Sequence, residues 1–249
     1  MDENQIKSEV RKHYAAIASQ PDCGCGSSDC CSGEGKEVNP LVDYGVFGEA
    51  VEAEANLGLG CGLPTRSAGL QPGETVLDLG SGAGVDVFLA AKQVGPQGRA
   101  IGVDMTPEMI ARAWNNAVQG GYQNVDFRLG DIEDLPVSGD SVDVVISNCV
   151  INLAPDKRRV YAEIFRVLKP GGRFSISDVV TYGEMPEPVR QDMALWAGCV
   201  AGAIDRDEYL ELVRQAGFED LQIEQFVEYD YARGADYGTA SMTLHGRKP

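Results

Sequence analysis

From Thr75 onward, short apolar runs alternate with amphipathic stretches. "TVLDLG" (75–80), "AIGVD" (100–104), "VDFRLG" (125–130), "SVDVVISN" (141–148) and "GRFSISDVV" (172–180) read as strands. Between them, "GVDVFLAAKQV" (84–94), "PEMIARAWNNAVQGG" (107–121) and "DKRRVYAEIFRVL" (156–168) carry helical periodicity. Pro107 opens the second of these helices and "KPGG" closes the third. Strand and helix in alternation, joined by short links, predict an α/β fold: a mostly parallel sheet with helices on both faces. Further on, "DRDEYLELVRQAG" (205–217) is a helix ended by Gly217, and "LQIEQFVEYD" and "GTASMTLHG" suit antiparallel strands at one edge. Upstream, Gln5 to Ala18 reads as a helix, residues 21–37 as a Gly/Ser/Cys loop, and the region of Cys61 as a Gly/Pro-rich turn. The chain thus divides into an N-terminal helix and Cys-rich loop (1–70), an alternating core (71–180) and a C-terminal segment with edge strands (181–249).

Chemistry concentrates where strands end. "DLGSGAG", Asp78 to Gly84, joins the first strand of the core to its first helix. Gly80, Gly82 and Gly84 remove side chains where a ligand can touch backbone, and the helix N-terminus adds N–H groups and the positive end of its dipole. In open α/β sheets such a loop lies beyond the carboxyl ends of the strands, where cofactors bind. A dinucleotide fingerprint needs a third glycine where this chain has Val85, which weakens a nicotinamide reading. Asp104, at the end of the second strand, is placed to accept hydrogen bonds from two ribose hydroxyls, and Met105 follows it. Asp131 and Ile132 in "LGDIEDLP" offer a carboxylate and an apolar wall for an adenine ring.

Composition narrows the partners. A formal charge of −17 argues against a nucleic-acid backbone, and 43% hydrophobic with 24% charged residues suits an ordinary globular protein. No run approaches the roughly 20 apolar residues of a membrane span, and the start of the chain has no signal-peptide core, so the cytoplasm is the expected location. Only His13 and His245 are present, so histidine-centred catalysis is disfavoured. Seven cysteines in such a chain point to reactive, metal-binding or buried thiols. Cys149 in "SNCVINLAP" directly follows a strand, where a substrate would lie. Asn148 and Asn152 flank it, as pocket floor or as strand-end caps. Cys23, Cys25, Cys30 and Cys31 lack the paired spacing of a zinc knuckle.

"VLDLGSGAG", "GVDMTPEMI", "GDIEDLPVSGDSVDVVISNCVINL" and "VLKPGGRFSISD" together resemble the class I, Rossmann-like methyltransferases that use S-adenosylmethionine, over roughly residues 70 to 180. The resemblance implies that Asp78, Gly80, Ser81, Gly82 and Gly84 hold the methionine end, Asp104 and Met105 the ribose region, and Asp131 and Ile132 the adenine, with Asn148 alongside.

Within that fold the chain is similar to the arsenite methyltransferases, through "LGLGCGLP", "SNCVINL" and "WAGCVAGAI". The resemblance implies that Cys61, Cys149 and Cys199 ligate As(III) beneath a small metalloid-binding cap, Cys199 lying in an Ala/Gly-rich helix. Thiolates are the soft ligands such an ion prefers, and its lone pair needs no base before it attacks a methyl group. The resemblance also implies that Cys30 or Cys31 pairs with Cys61 to return the arsenic to trivalency. The substrate is then a thiol complex such as the glutathione adduct, and glutathione or thioredoxin recycles the disulfide. Two other readings stay open: a methyltransferase for a small carbon or oxygen nucleophile such as a quinone precursor, and an inactive metalloid-binding protein.

Overall fold

The computed structural model describes residues 2–19, 44, 55–183, 185–190, 196, 199–229, 234 and 237–249. Cys23, Cys25, Cys30 and Cys31 lie outside the described residues. The apolar runs become strands β1 (Thr75–Leu79), β2 (Arg99–Asp104), β3 (Val125–Leu129), β4 (Val142–Asn148), β5 (Leu168–Gly183), β6 (Glu219–Glu228) and β7 (Tyr237–Arg247). Among the described residues they form one sheet in the order β3-β2-β1-β4-β5-β7-β6. The first five are parallel; β7 pairs antiparallel with β5 and carries β6 antiparallel on its outer side.

Helices α1 (Glu3–Ala18), α2 (Pro64–Ser67), α3 (Val85–Val94), α4 (Pro107–Gln119), α5 (Lys157–Val167), α6 (Glu187–Arg190) and α7 (Arg206–Gln215) complete the described elements. The side-chain alternation of a strand divides the core in two. Leu77 and Leu79 face Val160, Tyr161 and Ile164 of α5 and Tyr209 and Val213 of α7. Val76, Val144 and Ile146 face Val87 and Phe88 of α3 and Ala113 and Ala117 of α4. Each fully buried Val, Leu or Ile contributes about 1.5–3 kcal/mol, so the two layers fix the register of every parallel strand. The helix starts are specified locally. Pro107 sits in the first turn of α4, Asp156 accepts from the Arg159 N–H to cap α5, and Asp205 accepts from the Asp207 and Glu208 N–H groups to cap α7.

Two elements differ from the sequence reading. β5 begins at Leu168 rather than at Gly172, because "KPGG" does not leave the sheet. Pairing passes from Val142↔Leu168 to Val144↔Arg173, so Lys169 to Gly172 bulge out of the ladder. Cys199 is not helical: it has φ +63° and its N–H bonds to the Trp196 carbonyl, and Val200 to Gly202 continue as bends and turns. Gly202 packs against the Asn152 carbonyl at a distance that only a residue without Cβ allows, which a regular helix there would not permit.

A third apolar cluster gathers at the carboxyl ends of the strands. Ile6 and Val10 of α1 pack there with Leu153, Val179, Tyr229 and the side chains of Cys61, Cys149 and Cys199. The amphipathic α1 therefore lies over the sheet edge where ligands bind, packed on α4. No helix among the described residues is long and apolar enough to cross a membrane.

Candidate active site

A cavity enclosing about 1030 Å³, counting its open mouth, lies beyond the ends of β1, β2 and β4. Its floor is the Asp78–Gly84 loop. Gly80 has φ +66°, and a Cβ there would drive into Val150; Gly84 has φ +100°, and a Cβ there would meet Phe88 and Phe127 at 2.9 and 2.8 Å. The loop is therefore bare backbone because both conformation and space demand it. Asp104 holds it in shape: one carboxylate oxygen accepts from the Gly82 N–H at 3.0 Å and the other from the Thr106 N–H at 2.8 Å. Each oxygen keeps a lone-pair site for a ligand hydroxyl. Ser81 lines the cavity, but its buried hydroxyl lies over Gly102 without a hydrogen-bond partner.

Met105, Asp131 and Ile132 also line this cavity, with Lys7, Val10 and Tyr14 of α1 across from them. The Lys7 ammonium bonds the carboxylates of Asp131 at 2.7 Å and Glu133 at 2.5 Å, so α1 is anchored to the expected adenine side. Burial raises the carboxyls of Asp78, Asp86 and Asp104 above the usual range; for Asp78 the neighbouring Asp86 and Asp104 add to the effect. A cationic ligand there would favour their ionised forms.

The three cysteines converge beside this cavity. All are free and buried. The sulfurs of Cys61 and Cys149 and a carboxylate oxygen of Asp178 lie within 4.8 Å of one another. The Cys199 thiol donates to the Cys149 carbonyl at 2.8 Å and is within hydrogen-bonding reach of the Cys149 sulfur. Of the three, Cys149 is the one that lines the cofactor cavity. Cys149 and Cys199 adopt φ of +60° and +63°, two of the four left-handed non-glycine residues among those described. That conformation costs a residue with Cβ about 1–2 kcal/mol, and such strain collects at functional sites. In Cys149 it arises because the N–H still extends the sheet by bonding the Ser177 carbonyl, after which the chain folds at once into a turn over Ile151–Leu153.

All three thiols are held protonated. Burial, opposed by a hydrogen bond from Cys149, raises Cys61. Cys149 receives a bond from Cys199 that favours its thiolate, but its own bond to Cys61 and its burial outweigh this. Cys199 is raised by its bond to Cys149 and then by burial.

Asn148 has a role beyond the one expected of it. It borders the cavity, but its side chain is spent on the Cys61 loop. Its carbonyl oxygen accepts from the N–H groups of Cys61 and Gly62 at 2.9 and 3.2 Å, and its amide donates to the Gly62 carbonyl at 2.8 Å, with further contacts to Tyr44 and Asp86. Asn152 is fully buried behind the site rather than on the pocket floor. Its amide donates to the carbonyls of Val179 and Cys199, tying β5 to the turn that bears the third thiol.

Sequence reasoning passed over Asp86, Tyr14 and Asp178. A carboxylate in the apolar first turn of α3 was the available signal for Asp86, which binds Thr65, Tyr44 and Asn148. Tyr14, buried against the thiol cluster, carried no distinguishing signal in its helix. Asp178 sits inside the quoted "SISD" run, in the interior of β5, where the parallel pairing with β4 ends at Ser177. There it accepts from the Asn152 and Val179 N–H groups at 3.2 and 3.0 Å.

Comparison with known proteins agrees with this geometry. A family model described as a methyltransferase domain matches residues 70–217. The arsenite methyltransferase of Halobacterium salinarum is 46% identical over 265 residues, taking in 100% of this chain and 68% of that protein. The arsenite methyltransferase of Aquipseudomonas alcaligenes is 44% identical over 171 residues, 66% of this chain but 49% of the relative. Among solved structures, an arsenic(III) S-adenosylmethionine methyltransferase from Chlamydomonas reinhardtii superimposes with a TM-score of 0.69 at 34% identity, covering 95% of this chain and 72% of that one.

Proposed function

The chain belongs to the arsenite methyltransferase family, which has the class I methyltransferase fold and uses S-adenosylmethionine, and from that premise we propose that it methylates trivalent arsenic held by Cys61, Cys149 and Cys199. The products are methylated arsenicals and S-adenosylhomocysteine, and the role is arsenic detoxification. The observation that carries the reading is the meeting of three buried free thiols from separate segments, with one of them, Cys149, opening onto the cofactor cavity.

The cavity suits the cofactor. Asp78, Asp86 and Asp104 crowd buried negative charge around a bare glycine loop, which favours a ligand bearing an ammonium and a sulfonium. When bound, S-adenosylmethionine supplies an electrophilic methyl group. Gly80 and Gly82 let its methionine end approach backbone, Gly84 makes room for Phe88 and Phe127 behind the loop, Asp104 accepts from the ribose, and Ile132 with Asp131 borders the adenine. Met105 packs against both the cavity and the thiol cluster.

Neutral thiols suit the loading step. Arsenic arriving as the trihydroxide gives up three hydroxides, each leaving as water with one thiol proton. Arriving as a glutathione complex, it releases three glutathione molecules that carry those protons away. Three sulfurs then hold it as a pyramid with the lone pair free, and alignment of reacting atoms about 3–3.5 Å apart can supply roughly 7–11 kcal/mol of the barrier. The methylated cation is formally pentavalent. Its return to trivalency takes two electrons from two sulfurs, which become a disulfide; Cys61 and one of Cys30 or Cys31 would form it. A cytosolic thiol such as glutathione or thioredoxin would reduce it, and buried free thiols fit a reducing compartment such as the cytoplasm.

The test is chromatography of arsenicals after incubation with arsenite, glutathione and S-adenosylmethionine. Methylated product from the parent protein, and none from Cys199→Ser that still binds the cofactor, is the expected result. Full activity in that variant would overturn the assignment.

A further inference from the structure

We propose that Cys61, Cys149 and Asp178 form a second donor set that captures a thiophilic divalent cation, of the zinc and cadmium class, in competition with arsenic. The three ligand atoms already lie within 4.8 Å of one another, and all three residues are buried. Around one tetrahedral ion with bonds of about 2.0–2.3 Å such donors sit roughly 3.3–3.8 Å apart, so closure needs small movements. Asp178 is held for the purpose. Backbone N–H groups of Asn152 and Val179 bond one carboxylate oxygen each and the Tyr209 hydroxyl adds a third donor, which leaves a lone pair for an ion.

The arsenic reading gives this carboxylate nothing to do. As(III) takes three soft donors and keeps its fourth direction for the lone pair, so a hard oxygen adds little. A closed-shell divalent cation has no such lone pair, seeks four donors and accepts mixed sulfur and oxygen ligands. Binding would displace the two thiol protons to solvent, leaving two thiolates and one carboxylate around the dication. The fourth position falls to water, since the Cys199 thiol is already bonded to the Cys149 carbonyl. Such an ion would occupy two of the three sulfurs arsenic needs, and having no lone pair it could not accept a methyl group. It would act as an inhibitor competitive with arsenite and not with S-adenosylmethionine.

The test uses full-length protein with Cys23, Cys25, Cys30 and Cys31 all changed to Ser, so that the N-terminal thiols cannot answer for the site. Cadmium is titrated by its sulfur charge-transfer absorption and arsenite by quenching of Trp196. Asp178→Asn should weaken cadmium by roughly 10-fold or more and arsenite by no more than about 3-fold. Cys199→Ser should do the reverse. Unchanged cadmium affinity in Asp178→Asn, or equal loss of cadmium and arsenite in Cys199→Ser, would overturn the proposal. If both arsenite and cadmium affinity survive Cys199→Ser, the arsenic assignment fails while the cation site stands. Should Asp178→Asn not fold, the cadmium-113 chemical shift in the parent decides: a value for two sulfurs with oxygen supports the site, and one for three sulfurs overturns it.

Discussion

The cofactor pocket and the thiol cradle share a wall at Cys149, yet they are built on opposite principles. The pocket is made of backbone and short segments that follow strand ends directly, and Asp104 locks its loop through the Gly82 N–H. The cradle is made of side chains from three distant segments, two of them in left-handed conformations. It depends on Asn148 to position the loop of the third. The floor of a pocket of the first kind is in place once the sheet folds, with α1 closing over it. A cradle of the second kind stands only if several weaker constraints agree. Damage to the cradle should therefore leave the cofactor bound, whereas the pocket is insulated from its neighbour's chemistry.

The largest effect expected is from Cys149→Ser, which replaces the soft donor facing the cavity by a hard one. Arsenite methylation should fall on the order of 10³-fold, about 4 kcal/mol of transition-state stabilisation. Calorimetry should find S-adenosylmethionine affinity within about 2-fold of the parent, since no bond in the glycine loop depends on that sulfur. Loss of both together would show that the regions are one unit and break the contrast.

Next in size is Asp104→Ala. Removing a charged acceptor from two ligand hydroxyls should weaken the cofactor by about 1.5–3 kcal/mol, roughly 10- to 150-fold. Arsenite quenching of Trp196 should change little. A comparable loss of arsenite binding would mean that Met105, which touches both regions, transmits disorder between them.

Asn148→Ala probes the joint itself. The Cys61 loop would lose the acceptor of two backbone N–H groups and a donor to the Gly62 carbonyl. At about 1 kcal/mol for each net hydrogen bond, partly recovered by water, the arsenite concentration for half-saturation should rise roughly 10-fold. Cofactor affinity should hold. The opposite pattern would make Asn148 a cofactor residue first and a support of the Cys61 loop second.

What could be read in advance follows the same division. The parallel core was legible because its strands are buried on both faces and so appear as unbroken apolar runs. The glycine loop was legible because only glycine tolerates the φ of Gly80 and Gly84. The cradle was visible only as three separated motifs, since no local pattern says that Cys61 and Cys149 will meet. Cys199 was misread as helical because Ala and Gly have helix-compatible composition, while the approach of Gly202 to Asn152 is a tertiary fact. The second role of Asn148 was hidden for a similar reason: a polar residue at a strand end points equally to ligand or to loop, and the Cys61 loop that it holds lies far off in sequence. Asp178 hid within an otherwise apolar stretch of β5, and no local pattern says that its carboxylate meets sulfur.

A smaller effect should separate the regions by pH. Burial and mutual hydrogen bonding hold the three thiols protonated above their ordinary value of 9.0. In the unfolded chain they ionise near that value, so the folded state binds more protons at higher pH. Their contribution to stability is present below about pH 9 and is lost as pH rises through the folded values. Thermal melts of metalloid-free protein should decline through this alkaline range, and Cys149→Ala should flatten the decline. An unchanged slope in that variant would show that the thiols carry no part of it.

The smallest effect is expected at Lys7, and it decides to which region α1 belongs. The Lys7 ammonium bridges Asp131 and the buried Glu133, and the side chain is 22% exposed, so solvent screens only part of the attraction. Lys7→Ala should cost about 0.5–1 kcal/mol of stability, less at high salt because screening already weakens the parent's ion pairs. Glu133 keeps the Asp156 N–H as a donor, which limits the loss. Since Lys7 holds Asp131 on the adenine side, cofactor affinity should fall by about 2- to 5-fold with arsenite affinity unchanged. Yet Ile6 and Val10 of the same helix pack with the cysteines. If Lys7→Ala instead weakens arsenite and spares the cofactor, α1 is a wall of the cradle held by its apolar face, and its ion pairs only steady it there.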